Sequence, residues 1–181
     1  MRTEDIKIRE VLSENLQKTV EIEVKTKKGA VHAIAPVNKN GIYRIRSLSV
    51  EEMKGKFLEI KRHFVDQTFD NIEEVDKFLH TLDISIDFRE FGGNLAFAIS
   101  SAFVKSFAQW EGVKVFEHLT KKPQLPIPLF VVSDKKKTET DFKELMLYPV
   151  QKKLFLKSIM QLADVYSNLE LSKNMTNEKV L

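Results

Sequence analysis

The sequence predicts an α+β fold: a three-stranded antiparallel meander with helices, followed by a separate strand–strand–helix segment. Three observations carry this. Apolar and polar residues alternate along 19–26, apolar residues recur at helical spacing between 50 and 119, and short apolar runs return after Pro123.

The elements follow in chain order. Residues 6–12 read as a first strand. In 19–26, Val20, Ile22 and Val24 take one face while Thr19, Glu21, Glu23 and Lys25 take the other, the mark of a half-buried strand. Lys27, Lys28 and Gly29 form a turn, and residues 30–35 return as a third strand until Pro36 stops it. Ser49-Val50-Glu51-Glu52 is a capping box, so a helix starts near residue 50 with Met53, Phe57, Ile60 and Phe64 on one face. Asp70 or Asn71 caps a second helix that turns Ile72, Val75, Leu79 and Leu82 inward. A third helix follows Gly92 and Gly93 and is apolar nearly all round, with Leu95, Phe97, Ile99, Phe103 and Phe107; such a helix belongs at the centre of the core. A short fourth helix covers about 114–121. LPIPLFVVS and ELMLYPV read as two strands separated by a charged stretch, and a last helix covers about 151–168 with Leu154, Phe155, Ile159, Leu162 and Tyr166 facing in. Residues 171–181 lack periodicity and read as a flexible tail.

Composition narrows the function classes. At 181 residues and 43% hydrophobic, the chain can bury one sizeable core without staples. It has no cysteine, which excludes disulfides, thiolate nucleophiles and cysteine zinc sites. The net charge of +3 is a weak excess, and the lysine clusters lack interleaved aromatics, so a solvated surface is expected rather than a nucleic-acid footprint. The start carries Glu4, Asp5 and Glu10 and no apolar run, so neither a signal peptide nor a membrane span is expected, and the cytoplasm is the expected location.

Several motifs, in order and at family-like spacing, resemble the amino-terminal part of enolase. TVEIEVKTKKG resembles T-V-E-V-E-V-x-T-x-x-G, FLHTLD at 78–83 resembles F-L-x-x-L-D, and FGGNLAFAISSA at 91–102 resembles L-G-A-N-A-I-L-G-V-S-L-A. VFEHL at 115–119 resembles L-Y-x-H-L, LPIP at 125–128 resembles L-P-V-P, and ELMLYP at 144–149 resembles E-F-M-I-x-P. The resemblance implies an enolase N-terminal-like domain over 1–122, then a partial barrel segment (ββα) over 123–170. In the family the lysine base and the three carboxylates on the tighter magnesium come from later barrel strands, which these 181 residues do not include. A barrel site is assembled from the ends of many strands, so a lone ββα is not expected to replace it.

The family's other motifs are altered. Its mobile loop reads P-S-G-A-S-T-G, with one serine ligating the second magnesium; here the loop is Pro36-Val37-Asn38-Lys39-Asn40-Gly41, shorter and without serine. The Lys39 ammonium has three donors and no acceptor, so it repels a cation. A plain turn is expected, with phosphate capture by Lys39 and the Asn amides as the alternative. The D-S-R-G-N-P-T segment becomes Ser13 to Thr19, with Asn15 in place of arginine and only the threonine kept. The G-G-x-H segment becomes the lysine-rich Asp134 to Asp141. One family catalytic position survives: Glu144 matches the glutamate of Q-E-F, although the preceding glutamine is Lys143. His32, His63, His80 and His118 show no ligand spacing and are expected to be structural. Ser100 and Ser101 lack a nucleophile elbow.

The expectation is therefore a non-catalytic enolase-like protein (a pseudoenzyme) that acts through a protein partner or self-association, with no catalytic or metal residues and no cofactor. The alternative is one part of a split or degenerate enolase-type lyase, a phosphopyruvate hydratase taking 2-phosphoglycerate to phosphoenolpyruvate. It would need magnesium and a barrel-bearing partner chain. A fragment of a longer enolase-like protein is a further reading.

Overall fold

The computed structural model describes residues 1–37, 46–134, 144–149 and 155–177; the side chains of 132–134, 144–145 and 169–177 are outside that description. The chain divides into two compact units, Met1–Pro123 and Gln124–Leu181.

The first unit opens with β1 (Asp5–Leu12), β2 (Lys18–Thr26) and β3 (Gly29–Ile34), an antiparallel sheet in that order. The alternation read in the sequence sets its two faces. Ile6, Val20, Ile22, Val24 and Ala33 are buried on one. On the other, Lys7 faces Glu23 across the strands at 3.7 Å, and Arg9 pairs with Glu21. Exposed ion pairs contribute only about 0–1 kcal/mol each, so the apolar face holds the sheet to the helices. Gly29 closes the β2–β3 turn at φ 120°, a value side-chain-bearing residues rarely adopt.

The helices of this unit are α1 (Val50–Ile60), α2 (Ile72–Leu82), α3 (Gly93–Glu111) and α4 (Val115–Leu119), with one 3-10 turn at Lys61–His63. Both halves of the α1 capping box form: Ser49 Oγ accepts from Glu52 N at 3.3 Å, and Glu52 Oε2 accepts from Ser49 N at 2.7 Å. Asn71, not Asp70, caps α2, through Glu74 N at 2.9 Å. The expected inward residues of α1 and its extension, Met53, Phe57, Ile60 and Phe64, are all buried. Phe64, Phe69, Phe78 and Phe103 form an aromatic cluster, with Phe64 on Phe78 at 5.3 Å and Phe69 on Phe103 at 5.4 Å, both near edge-to-face.

Two expectations are corrected in this unit. Phe97 does not join the core: it is 57% exposed, while Leu95, Ile99, Phe103 and Phe107 are buried. It lies two residues from both Leu95 and Ile99, and so about 200° round the helix from each. The apolar composition of α3 concealed an outer face. The sequence pattern also missed the pairing of the first residues. Arg2 bridges Thr68, and Thr3 N donates to Gln67 O at 2.9 Å.

In the second unit β4 (Phe130–Asp134) pairs antiparallel with β5 (Glu144–Leu147), and α5 covers Phe155–Asn177. Strand β4 starts later than the run from Leu125 suggested, because Pro126 and Pro128 have no N–H to give a ladder. Helix α5 continues into the stretch read as tail, as far as Asn177. No Gly or Pro interrupts 169–177, and Leu, Glu, Lys and Met there are good helix formers, so backbone propensity carries the helix on after the apolar period fades. Leu162 is buried as expected, while Leu154 lies outside the described residues. Among the described residues no helix is long and apolar enough to cross a membrane.

Candidate functional site

Lys39, with Asn38, Asn40 and Gly41, lies outside the described residues, but both flanks of this segment are well defined. On the leading side, Thr19 Oγ1 donates to Ala35 O at 2.8 Å and Ala35 N donates to Val20 O at 2.8 Å. Thr19 is buried, so the one residue kept from the altered 13–19 motif does structural work at the end of β3. On the trailing side, Asn94 is a buried clamp. Its Oδ1 accepts from Leu48 N at 3.0 Å and its Nδ2 donates to Leu48 O at 2.9 Å. Asn15 sits exposed in the β1–β2 turn.

Glu144 opens β5 opposite Asp134 in the second unit; its side chain lies outside the described residues, as do Lys143 and residues 135–141 of the lysine-rich stretch. Among the described residues no group of three or more His, Cys, Asp or Glu is placed to hold a metal ion. Between Pro36 and Gly41 the sequence carries Val37, Asn38, Lys39 and Asn40, with no hydroxyl and no carboxylate side chain.

The histidines occupy structural settings. His118 stacks on Phe107 at 5.8 Å, with Nδ1 2.9 Å from Glu111 Oε2. His32 faces Glu21 and Glu23 on the wet side of the sheet at 3.4 and 3.7 Å. His63 lies beside Arg62 at 3.3 Å. His80 stacks on Phe88 at 4.4 Å and lines a groove of about 310 Å³ between α2 and α3. Leu79, Phe88, Ala96 and Phe97 line it, together with the polar Asp76 and Ser100. Such a lining suits an apolar side chain better than a phosphorylated metabolite, which needs several converging donors.

The loop that supplies Phe88 is organised by Asp83, the last residue of FLHTLD. Asp83 is buried, and its carboxylate accepts four hydrogen bonds. Oδ1 takes Ser85 N at 3.0 Å and the Ser85 hydroxyl at 2.5 Å; Oδ2 takes Glu90 N at 3.0 Å and Phe91 N at 2.8 Å. Burial by itself raises the carboxyl pKa, but the Ser85 hydroxyl and the amides of Phe91, Ser85 and Glu90 outweigh it and hold the group below the usual carboxylate range. Within this loop Phe88 sits at φ 50°, a strained value for a bulky residue. The sequence marked Asp83 only as the last letter of the FLHTLD motif, with no hint of the four bonds it accepts.

A pH dependence follows. The folded-state pKa of Asp83 is lowered, so its stabilisation is complete above the unfolded value of about 3.9 and is lost as pH falls through the folded value. Asp83→Asn turns one acceptor oxygen into an amide that faces two donors. It is expected to cost about 2–3 kcal/mol at pH 7. The gap between variant and parent should narrow below about pH 4. Urea unfolding of both proteins at pH 7 and pH 3 measures this, and an unchanged gap would contradict it.

The family model described as Enolase, N-terminal domain, matches residues 3–119, well over half of the chain. The match takes in the sheet, α1 to α3, the Asn94 clamp and the Asp83 loop.

Proposed function

The chain belongs to the enolase N-terminal-domain family, and from that premise we propose that it is a non-catalytic member acting through protein–protein contact. One observation carries the reading: the loop between β3 and α1 has exchanged the family's metal-binding serine for Asn-Lys-Asn, while the clamps on both of its flanks are intact. A cation site has been replaced by a fixed positive charge, and the fold around it has been kept. The lysine-rich Asp134 to Asp141, which has no histidine, points the same way. The contact reading draws on the groove beside the exposed Phe97, an apolar surface for which a polar substrate has no use. By the same reading the protein works in the cytoplasm, a reducing compartment with which a chain without cysteine is compatible.

The test is direct. The purified chain, given magnesium and 2-phosphoglycerate, is expected to form no phosphoenolpyruvate. Robust turnover by the chain alone would overturn the proposal. Turnover that starts only when an enolase barrel is added would favour a split lyase, a reading for which the collinear family match speaks. Light scattering is expected to show a species heavier than the 21.0 kDa chain, or apolar-dye binding that drops in Phe97→Glu. A dye-silent monomer would count against a contact surface.

A further inference from the structure

The segment Lys121-Lys122-Pro123-Gln124-Leu125-Pro126-Ile127-Pro128, between α4 and β4, has its conformation set by covalent chemistry. Proline fixes φ near −65° at 123, 126 and 128. Lys122, Leu125 and Ile127 each precede a proline and are pushed toward extended or polyproline values. Within 122–128 only Gln124 keeps ordinary backbone freedom.

Two structural facts separate this stretch from a buried connector. Lys121 through Ile127 are all exposed, with Leu125 at 70% and Ile127 at 51%. Residues 123–129 form no backbone hydrogen bond to another described residue; the one bond at the edge of the stretch is Lys122 N to Thr120 Oγ1 at 3.3 Å. A polyproline II helix has the same properties: no internal hydrogen bonds, a solvated backbone and three residues per turn. That repeat puts Pro123, Pro126 and Leu129 on one apolar edge, and Lys122, Leu125 and Pro128 on the next, so that edge is apolar after a basic first position.

We infer that this segment is a preformed ligand for a polyproline-reading domain, one with an aromatic-lined groove and an acidic rim. Pro123 and Pro126 supply the P-x-x-P spacing such grooves accept, and the Lys122-Pro123 and Leu125-Pro126 pairs fill successive slots. Charge selects the rim. Lys121 and Lys122 precede the first proline, and no carboxylate occurs between Glu117 and Asp134, so the segment itself carries only positive charge. The stiffness of the segment lowers the ordering cost that a flexible linker would bring to binding. The inference names a partner class for the contact reading above and rests on it, yet each has its own failure: turnover tests that reading, and the prolines test this one.

The experiment passes the full chain over an array of purified SH3 and WW domains and measures affinity for those that bind. A domain with an acidic rim is expected to bind. Pro123→Ala with Pro126→Ala should weaken it by about tenfold or more, and Lys121→Glu with Lys122→Glu should do likewise. The lysine pair leaves the backbone untouched and guards against a misfolded proline variant. Silence across the whole array, or binding that survives either double variant, overturns the inference.

Discussion

Phe103→Ala lowers the unfolding free energy of the first unit by about 3–5 kcal/mol, a large share of what a domain this size has to lose. Phe103 is fully buried in α3 and meets Phe64 at 5.7 Å and Phe69 at 5.4 Å. Truncation forfeits its transfer free energy and leaves a cavity against rings that collapse poorly. It also removes two aromatic contacts, each worth about 0.5–1.5 kcal/mol beyond area. The same change at Phe97, on the same helix, should move stability by no more than about 0.5 kcal/mol, because that ring is mostly in water. Chemical denaturation of the two variants side by side checks the pair. Equal losses would mean that α3 does not present the faces described.

Gly92→Ala is the second large effect, with an expected loss of about 2–4 kcal/mol, built from backbone strain and overpacking. Gly92 precedes α3 at φ 83°, where an L side chain is strained. A Cβ there would come within 2.4 Å of Leu48 Cγ and 3.0 Å of Asn94 Oδ1. The atoms struck belong to the Leu48 side chain, which is buried, while Asn94 holds the Leu48 backbone, so relief has to come from repacking a side chain whose backbone is fixed. Gly55 supplies the contrast. It lies inside α1 with nothing within 4 Å of a built Cβ, and Gly55→Ala should stabilise by about 0.5–1 kcal/mol. Thermal and urea melts of both variants test the opposite signs.

Much of this fold was legible in the residues. The alternation in 19–26 set β2 and its buried face, the Ser49–Glu52 box set the start of α1, and Val75 and Leu79 pointed inward as their spacing required. These signals are local, and a local pattern carries them whole. What escaped was long-range or compositional. The partner of Thr3 is Gln67, which no neighbouring residue announces. Phe97 was hidden because α3 is apolar on several sides, so composition did not say which one faced water. Asp83 entered only as the last letter of FLHTLD, because its four bonds come from residues that form no periodic pattern. The candidate site was read from letters alone. The loop's lysine and the missing histidine are visible as letters, whereas the groove beside Phe97 exists only once α2 and α3 are packed.

The paired clamps have a consequence for how such a protein changes over time. Ala35 is tied back to Thr19 and Val20, and Leu48 to Asn94, so the stretch between them is held at two fixed posts. Between them a stretch can be shortened or rewritten at small thermodynamic cost, since closure entropy grows only slowly with length. The same posts make the interval a natural graft point for a foreign peptide.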